Sequence, residues 1–178
     1  MDRAHVQYVV SRYVIPVGVI TIMAGLIALS AVNFFYEQQR TDLNVISHDL
    51  AKLANIFERI NDECGILSFD HQKNHINFLN VEKFAGSEVG PMNLVNPQKW
   101  QGPYVQDNPT VQGHEYLVVS TQKGFHITPG EGVELPNGKI VGRDLLLSPD
   151  TDLETLATDP EGFSYRGTPL ILPLKIGK

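Results

Sequence analysis

The sequence predicts an α+β fold: a long N-terminal helix, apolar in its first half and amphipathic in its second, packed on a small antiparallel β-sheet. Three observations carry this expectation. Residues 13–36 contain no charged side chain. Leu43, Ile46, Leu50, Leu53, Phe57 and Ile60 then follow at spacings of 3, 4, 3, 4 and 3, which draws one apolar stripe along a helix. After Gly65 the pattern changes to short apolar runs separated by Gly, Pro and Asn, the signature of short strands joined by turns.

At 178 residues the chain is long enough for one domain with a core plus an appended element. A net charge of −6 without an Arg/Lys run argues against a nucleic-acid partner. The single cysteine, Cys64, excludes an intrachain disulfide framework and reads as a small buried apolar residue.

The uncharged segment reads YVIPVGVITIMAGLIALSAVNFFY. At ~1.5 Å per residue such a helix reaches about 36 Å, more than the ~30 Å hydrocarbon core of a bilayer. The apolar region of a secretory signal peptide is shorter, about 7–15 residues. Residues 13–36 are therefore expected to be an uncleaved transmembrane helix, with a buried core helix as the alternative. Arg3, His5 and Arg12 precede the span, while Glu37 and then Arg40 follow it. The positive-inside rule puts a tail of residues 1–12 in the cytoplasm and residues 37–178 outside. In a Gram-negative cell that is a single-pass inner-membrane protein with a periplasmic domain. Gly18 and Gly25 lie seven apart with Ala24 and Ala28 nearby, a small face that lets another membrane helix approach. The expected partners are membrane lipid and other subunits, including a second copy of the chain.

Residues 37–61 form the amphipathic part. Its wet face carries Arg40, Asp42, His48, Asp49, Lys52, Asn55, Glu58 and Arg59. No glycine or proline falls between Tyr36 and Asp42, so one helix of roughly 48 residues, on the order of 70 Å, is expected to include both parts. The stripe suits either a coiled-coil seam or the cover of a sheet, and the β-like runs that follow favour the cover. Asn61-Asp62 and Cys64-Gly65 are turn formers expected to end the helix.

Residues 62–115 are expected as a loop region, proline-rich between 86 and 109, and residues 116–178 as sheet and C-terminal loop. Strands are expected at 66–69, 76–79, 116–121, 125–128 and 139–141. Gln122-Lys123-Gly124 reads as a tight hairpin, and Pro136-Asn137-Gly138 as a second turn. Further extended runs cover 163–165 and 170–176, where Pro169 and Pro173 permit only an edge strand.

The stretch WQGPYV holds the sole tryptophan, Trp100, before the turn-forming Gly102-Pro103 pair and Tyr104. Rings on both sides of such a turn pin a loop onto a hydrophobic surface. Signals for chemistry are sparse. His71 and His75 have i,i+4 spacing but no third ligand, and read as a solvated loop. Asp150, Asp152 and Glu154 offer oxygens for calcium, which would make this a calcium- or ligand-binding sensor domain, or else mark the start of a short helix over 153–157. No nucleophile elbow, zinc-protease motif or phosphate-binding glycine loop occurs, so neither catalysis nor an organic cofactor is expected.

The order of these parts resembles type IV pilin-like proteins, and most closely the major pseudopilins of type II secretion systems. Leu29-Ser30-Ala31-Val32-Asn33 is similar to the phrase ending the family's apolar segment, with valine in place of its proline. The periodicity from Leu43 to Ile60, the ending at Asn61-Asp62, and Trp100-Gln101-Gly102-Pro103-Tyr104-Val105 followed by Pro109 and Tyr116 match the family's order across residues 13–121. The resemblance implies a structural, non-catalytic subunit of a membrane-anchored secretion or pilus-like assembly. It also implies that the WQGPYV loop leads into the sheet and clamps it to the helix. Family members carry a calcium in a C-terminal loop, whose Gly- and Asp-rich motif is not reproduced here. They are also cut before a phenylalanine and carry glutamate at the fifth mature position. Counting back from Asn33 places Ser11 and Ile15 there, which points to the alternative of an accessory subunit that does not polymerise.

Overall fold

The computed structural model describes the backbone of residues 15–176 and the side chains of 17–34 and 43–176. The expected cytoplasmic tail 1–12 and the first residues of the expected span lie outside the described residues. Helix α1 is Ile15–Cys64. The chain divides into two compact units, Met1–Thr41 and Asp42–Lys178.

In the first unit, Val17–Phe34 is an apolar helical segment of mean hydropathy 2.1, none of it buried. A helix that is hydrophobic all round normally lies inside a protein or a membrane. Here no protein surrounds it among the described residues.

The second unit begins with the remainder of α1. Ile46, Leu50, Leu53, Phe57 and Ile60 are fully buried, and Leu43 is half-buried against the same core. The stop signal is Gly65, at φ +69°. Glycine adopts this left-handed conformation without a Cβ penalty, which suits the position after a helix. Asn61, expected to end the helix, lies inside it. Its Oδ1 accepts a hydrogen bond from the Ile66 N–H at 3.1 Å, turning the chain into the first strand.

Among the described residues, eleven strands of two to five residues follow: β1 (Ile66–Phe69), β2 (Lys73–His75), β3 (Glu88–Val89), β4 (Met92–Leu94), β5 (Thr110–Val111), β6 (His114–Glu115), β7 (Leu117–Thr121), β8 (Gly124–Thr128), β9 (Ser164–Tyr165), β10 (Thr168–Pro169) and β11 (Leu172–Leu174). A second helix, α2 (Leu153–Thr158), precedes β9. The strands form antiparallel sheets ordered β1-β4-β3 and β11-β8-β7-β2, with the pairs β9-β10 and β5-β6. One core joins the helix to both larger sheets. The Phe57 ring lies 6.1 Å from Phe69 of β1 and 6.3 Å from Phe78, and Phe69 lies 5.1 Å from Phe125 of β8. The architecture is α+β with small antiparallel sheets.

Several expected elements differ in detail. The segment 62–115, expected as a loop region with two strands, contains β1 to β6. The strand expected at 76–79 lies earlier, at Lys73–His75. After it, the Leu79 N–H bonds the Asn108 side chain at 3.0 Å instead of a neighbouring strand. The strand expected at 139–141 reduces to isolated bridges, Glu134 with Ile140 and Val141 with Leu145. The turn before it forms as expected, with Gly138 at φ +79°. The tight β7–β8 hairpin at Gln122-Lys123 also forms, and Pro173 lies in β11 at a sheet edge.

Candidate functional site

Most of the residues singled out in the sequence belong to architecture, and their geometry shows what each does. Trp100 donates its indole N–H to the Val81 carbonyl at 3.0 Å and packs edge-on against Phe84 at 5.4 Å and Tyr104 at 4.7 Å. The Gly102-Pro103 peptide is cis. A Cβ on Gly102 would overlap both the Val81 carbonyl oxygen and the indole Nε1, so the turn closes only around a glycine. Tyr104 faces the helix: the Arg59 guanidinium lies 4.5 Å over its ring, and its hydroxyl reaches Glu63 at 3.5 Å. Burial, chiefly, holds the Tyr104 hydroxyl above its ordinary pKa. The main chain on either side is tied down by Tyr104 N–H to Leu79 C=O at 2.8 Å and Trp100 N–H to Pro97 C=O at 3.1 Å. The WQGPYV loop is therefore a clamp between the 79–84 segment and the last turns of α1. An open depression of about 300 Å³ borders it, lined by Glu82, Lys83, Phe84, Pro97, Gln98 and Trp100.

A second clamp escaped the sequence reading. Tyr116, fully buried just before β7, donates its hydroxyl to Asp49 of α1 at 3.1 Å. Burial, reinforced by the Asp49 charge, drives the Tyr116 hydroxyl far above its ordinary pKa and fixes it as a donor. Hydrogen bonds to charged groups contribute about 1.5–3 kcal/mol, so Tyr116→Phe is expected to lose an amount in that range. Urea unfolding followed by Trp100 fluorescence checks this, with Asp49→Asn as the partner for a double-mutant cycle. The two changes should be strongly non-additive.

Asp150, Asp152 and Glu154, the oxygens expected for calcium, bond to the β7–β8 turn. The Lys123 Nζ lies 3.0 Å from both Asp152 oxygens and 3.2 Å from Glu154. Asp150 accepts from the Gln122 side-chain amide at 2.8 Å. Asp152 also caps α2 by accepting the Thr155 N–H, and its carboxyl is held below the usual carboxylate range chiefly by the Lys123 ammonium. His71 and His75 are not one turn apart on a helix, because β2 intervenes. His75 Nδ1 pairs with Glu115 at 3.1 Å, and the His71 N–H bonds the Asn74 side chain at 3.0 Å. Among the described residues, no cluster of three or more His, Cys, Asp or Glu is placed to hold a metal ion. Cys64 is buried at the end of α1, and desolvation raises its thiol pKa, which suits an inert core residue.

At Gly18 and Gly25 an added Cβ would meet nothing within 4 Å, so both positions are open on the exposed segment of α1. That segment is long and apolar enough to cross a membrane, which fits a single-pass membrane protein and equally an N-terminal signal sequence. Together these features define a class: an α+β domain whose first core helix begins as a membrane-compatible apolar segment. No protein family, curated protein or solved structure matches the chain.

Proposed function

We propose that this is a membrane-anchored, pilin-like structural subunit of a type II secretion or type IV pilus-like assembly, with its globular domain on the outer, periplasmic side. The observation that carries this reading is the division of labour within α1. Val17–Phe34 is wholly exposed and apolar, whereas Ile46 to Ile60 is the fully buried spine of the outer domain's core. A helix of this kind suits a subunit that lodges one end in lipid or among neighbouring membrane helices and presents a domain beyond the bilayer. The open positions at Gly18 and Gly25 supply a face for such neighbours. The WQGPYV clamp supports the same reading, because it ties the 79–84 segment to the last turns of α1.

A second reading is an accessory subunit that uses the same fold and does not polymerise. It is favoured by Ser11 and Ile15 at the positions where pseudopilins start with phenylalanine and carry their glutamate. A filament subunit uses that glutamate to offset a neighbour's terminal amine, since an unpaired charge in hydrocarbon is costly. N-terminal sequencing of protein purified from its own membrane separates the two. Loss of about the first ten residues, together with self-crosslinking into ladders through the Gly18 and Gly25 face, supports the filament subunit. Retention of Met1 with crosslinks only to other proteins supports the accessory role. A chain that extracts with no crosslinked partner in the membrane overturns both.

A further inference from the structure

Asn137-Gly138 is the sole Asn-Gly pair in the sequence, and the fold uses its side-chain amide as a clasp. The Asn137 Nδ2 carries two N–H donors, and both are engaged: Nδ2 bonds the Gly162 carbonyl at 2.8 Å and the Pro160 carbonyl at 3.2 Å. Its Oδ1 accepts the Lys139 N–H at 3.2 Å. The turn at 136–138 is thereby tied to the loop that follows α2. Lys139 also bridges to Glu161 at 3.3 Å, but that carboxylate is mostly in water and such a pair adds little. The loop leads directly into the fully buried Phe163, whose N–H bonds the Leu156 carbonyl at 2.7 Å.

An asparagine followed by glycine is also chemically labile. The main-chain nitrogen of the next residue, once a base removes its proton, attacks the side-chain Cγ, and a glycine there has no Cβ to obstruct the approach. The new N–Cγ bond closes a succinimide ring, the Cγ–Nδ2 bond breaks, and Nδ2 leaves as ammonia. Water then opens the ring at either carbonyl to give aspartate or isoaspartate. The net change is amide plus water to carboxylate plus ammonium. The folded turn opposes the first step. Gly138 donates its N–H to the Leu135 carbonyl at 2.8 Å, and the Asn137 amide is held at both its oxygen and its nitrogen.

We propose that Asn137 is a deamidation site guarded by the fold, and that its modification releases the clasp irreversibly. The reaction consumes the Gly138 N–H and needs the amide free, so the turn must open first. In the product a carboxylate replaces the two donors, and its oxygens would lie against the Pro160 and Gly162 carbonyls with no hydrogen to share. The loop therefore does not dock again. Isoaspartate adds a carbon to the main chain at the same point and has the same effect. The site lies within the α+β domain and does not depend on the assembly proposed above.

Peptide mapping of the full chain in mild detergent at mildly alkaline pH, folded and in urea, tests the guard. Deamidation at Asn137 is expected to be about tenfold or more slower in the folded chain. Equal rates in the two states would overturn it. Hydrogen exchange of Asn137→Asp tests the clasp. Protection of the Gly162 and Phe163 N–H groups, which bond Asp159 and Leu156, is expected to fall about tenfold or more while β7 and β8 keep theirs. Wild-type chain aged in the folded state supplies a second readout. Its deamidated fraction, separated by the added negative charge, should show the same local loss. Unchanged protection at Gly162 and Phe163 in both samples, or a loss no greater there than in β7 and β8, would overturn the clasp.

Discussion

Phe57→Asp abolishes folding of the α+β domain, residues 42–178. Phe57 is fully buried at the junction of α1 with both larger sheets, its ring in contact with Phe69 and Phe78. Truncating such a side chain costs about 3–5 kcal/mol through lost burial and the cavity left behind. A carboxylate in its place adds several kcal/mol more, because it would be buried against the apolar Phe69 and Phe78 rings. The sum reaches the whole stability of an ordinary domain, about 5–15 kcal/mol. Trypsin digestion of membranes containing the variant should degrade residues beyond the apolar segment, whereas the wild-type domain resists. Phe57→Leu, which keeps most of the volume, should leave a folded and resistant domain. A folded, resistant Phe57→Asp domain that fails only to assemble would mean that the stripe is a seam between chains rather than the spine of one.

Gly102→Ala destabilises the domain by about 2–4 kcal/mol, a large effect for one methyl group. An added Cβ would strike the two atoms that hold the loop shut, the Val81 carbonyl oxygen and the indole Nε1 that donates to it. Neither yields by a simple rotamer change, since one is main chain and the other lies between Phe84 and Tyr104. Overpacking of this kind costs about 1–3 kcal/mol, and the lost indole hydrogen bond about 1 more. Trp100→Phe isolates that second part, retaining a ring while removing the donor, and is expected to cost about 1 kcal/mol. Urea midpoints of the three proteins check the order wild type, Trp100→Phe, Gly102→Ala. A Gly102→Ala midpoint indistinguishable from wild type would show that the loop is not a clamp.

The parts legible in the sequence are those whose signal is local. The stripe from Leu43 to Ile60 announces itself because its partners all lie on one face at a fixed period. The β7–β8 hairpin is legible because Gly124 marks its turn, with φ at +115°. What stays hidden has its cause far along the chain. β2 reads Lys-Asn-His, with no apolar alternation, because Asn74 is buried through hydrogen bonds to His71 and Val118 rather than through hydrophobicity. β3 and β4 straddle Gly90-Pro91 and are too short to establish a period. The Tyr116–Asp49 bond joins residues 67 positions apart, and neither residue carries a local mark of it. The partners of the acidic run are equally remote: Lys123, which bridges Asp152 and Glu154, and Gln122, which bonds Asp150, lie in a hairpin about thirty residues earlier. His126 sits in an ordinary strand sequence, and only the folded sheet shows that its ring nitrogens are buried without a hydrogen-bond partner.

Intact mass of the chain recovered from carbonate-washed membranes probes the dual role of α1 most directly. The account predicts a pelleted species whose mass retains Val17–Phe34 together with the α+β domain. Recovery in the soluble fraction, at a mass lacking that segment, would contradict it and make the apolar stretch a discarded export signal.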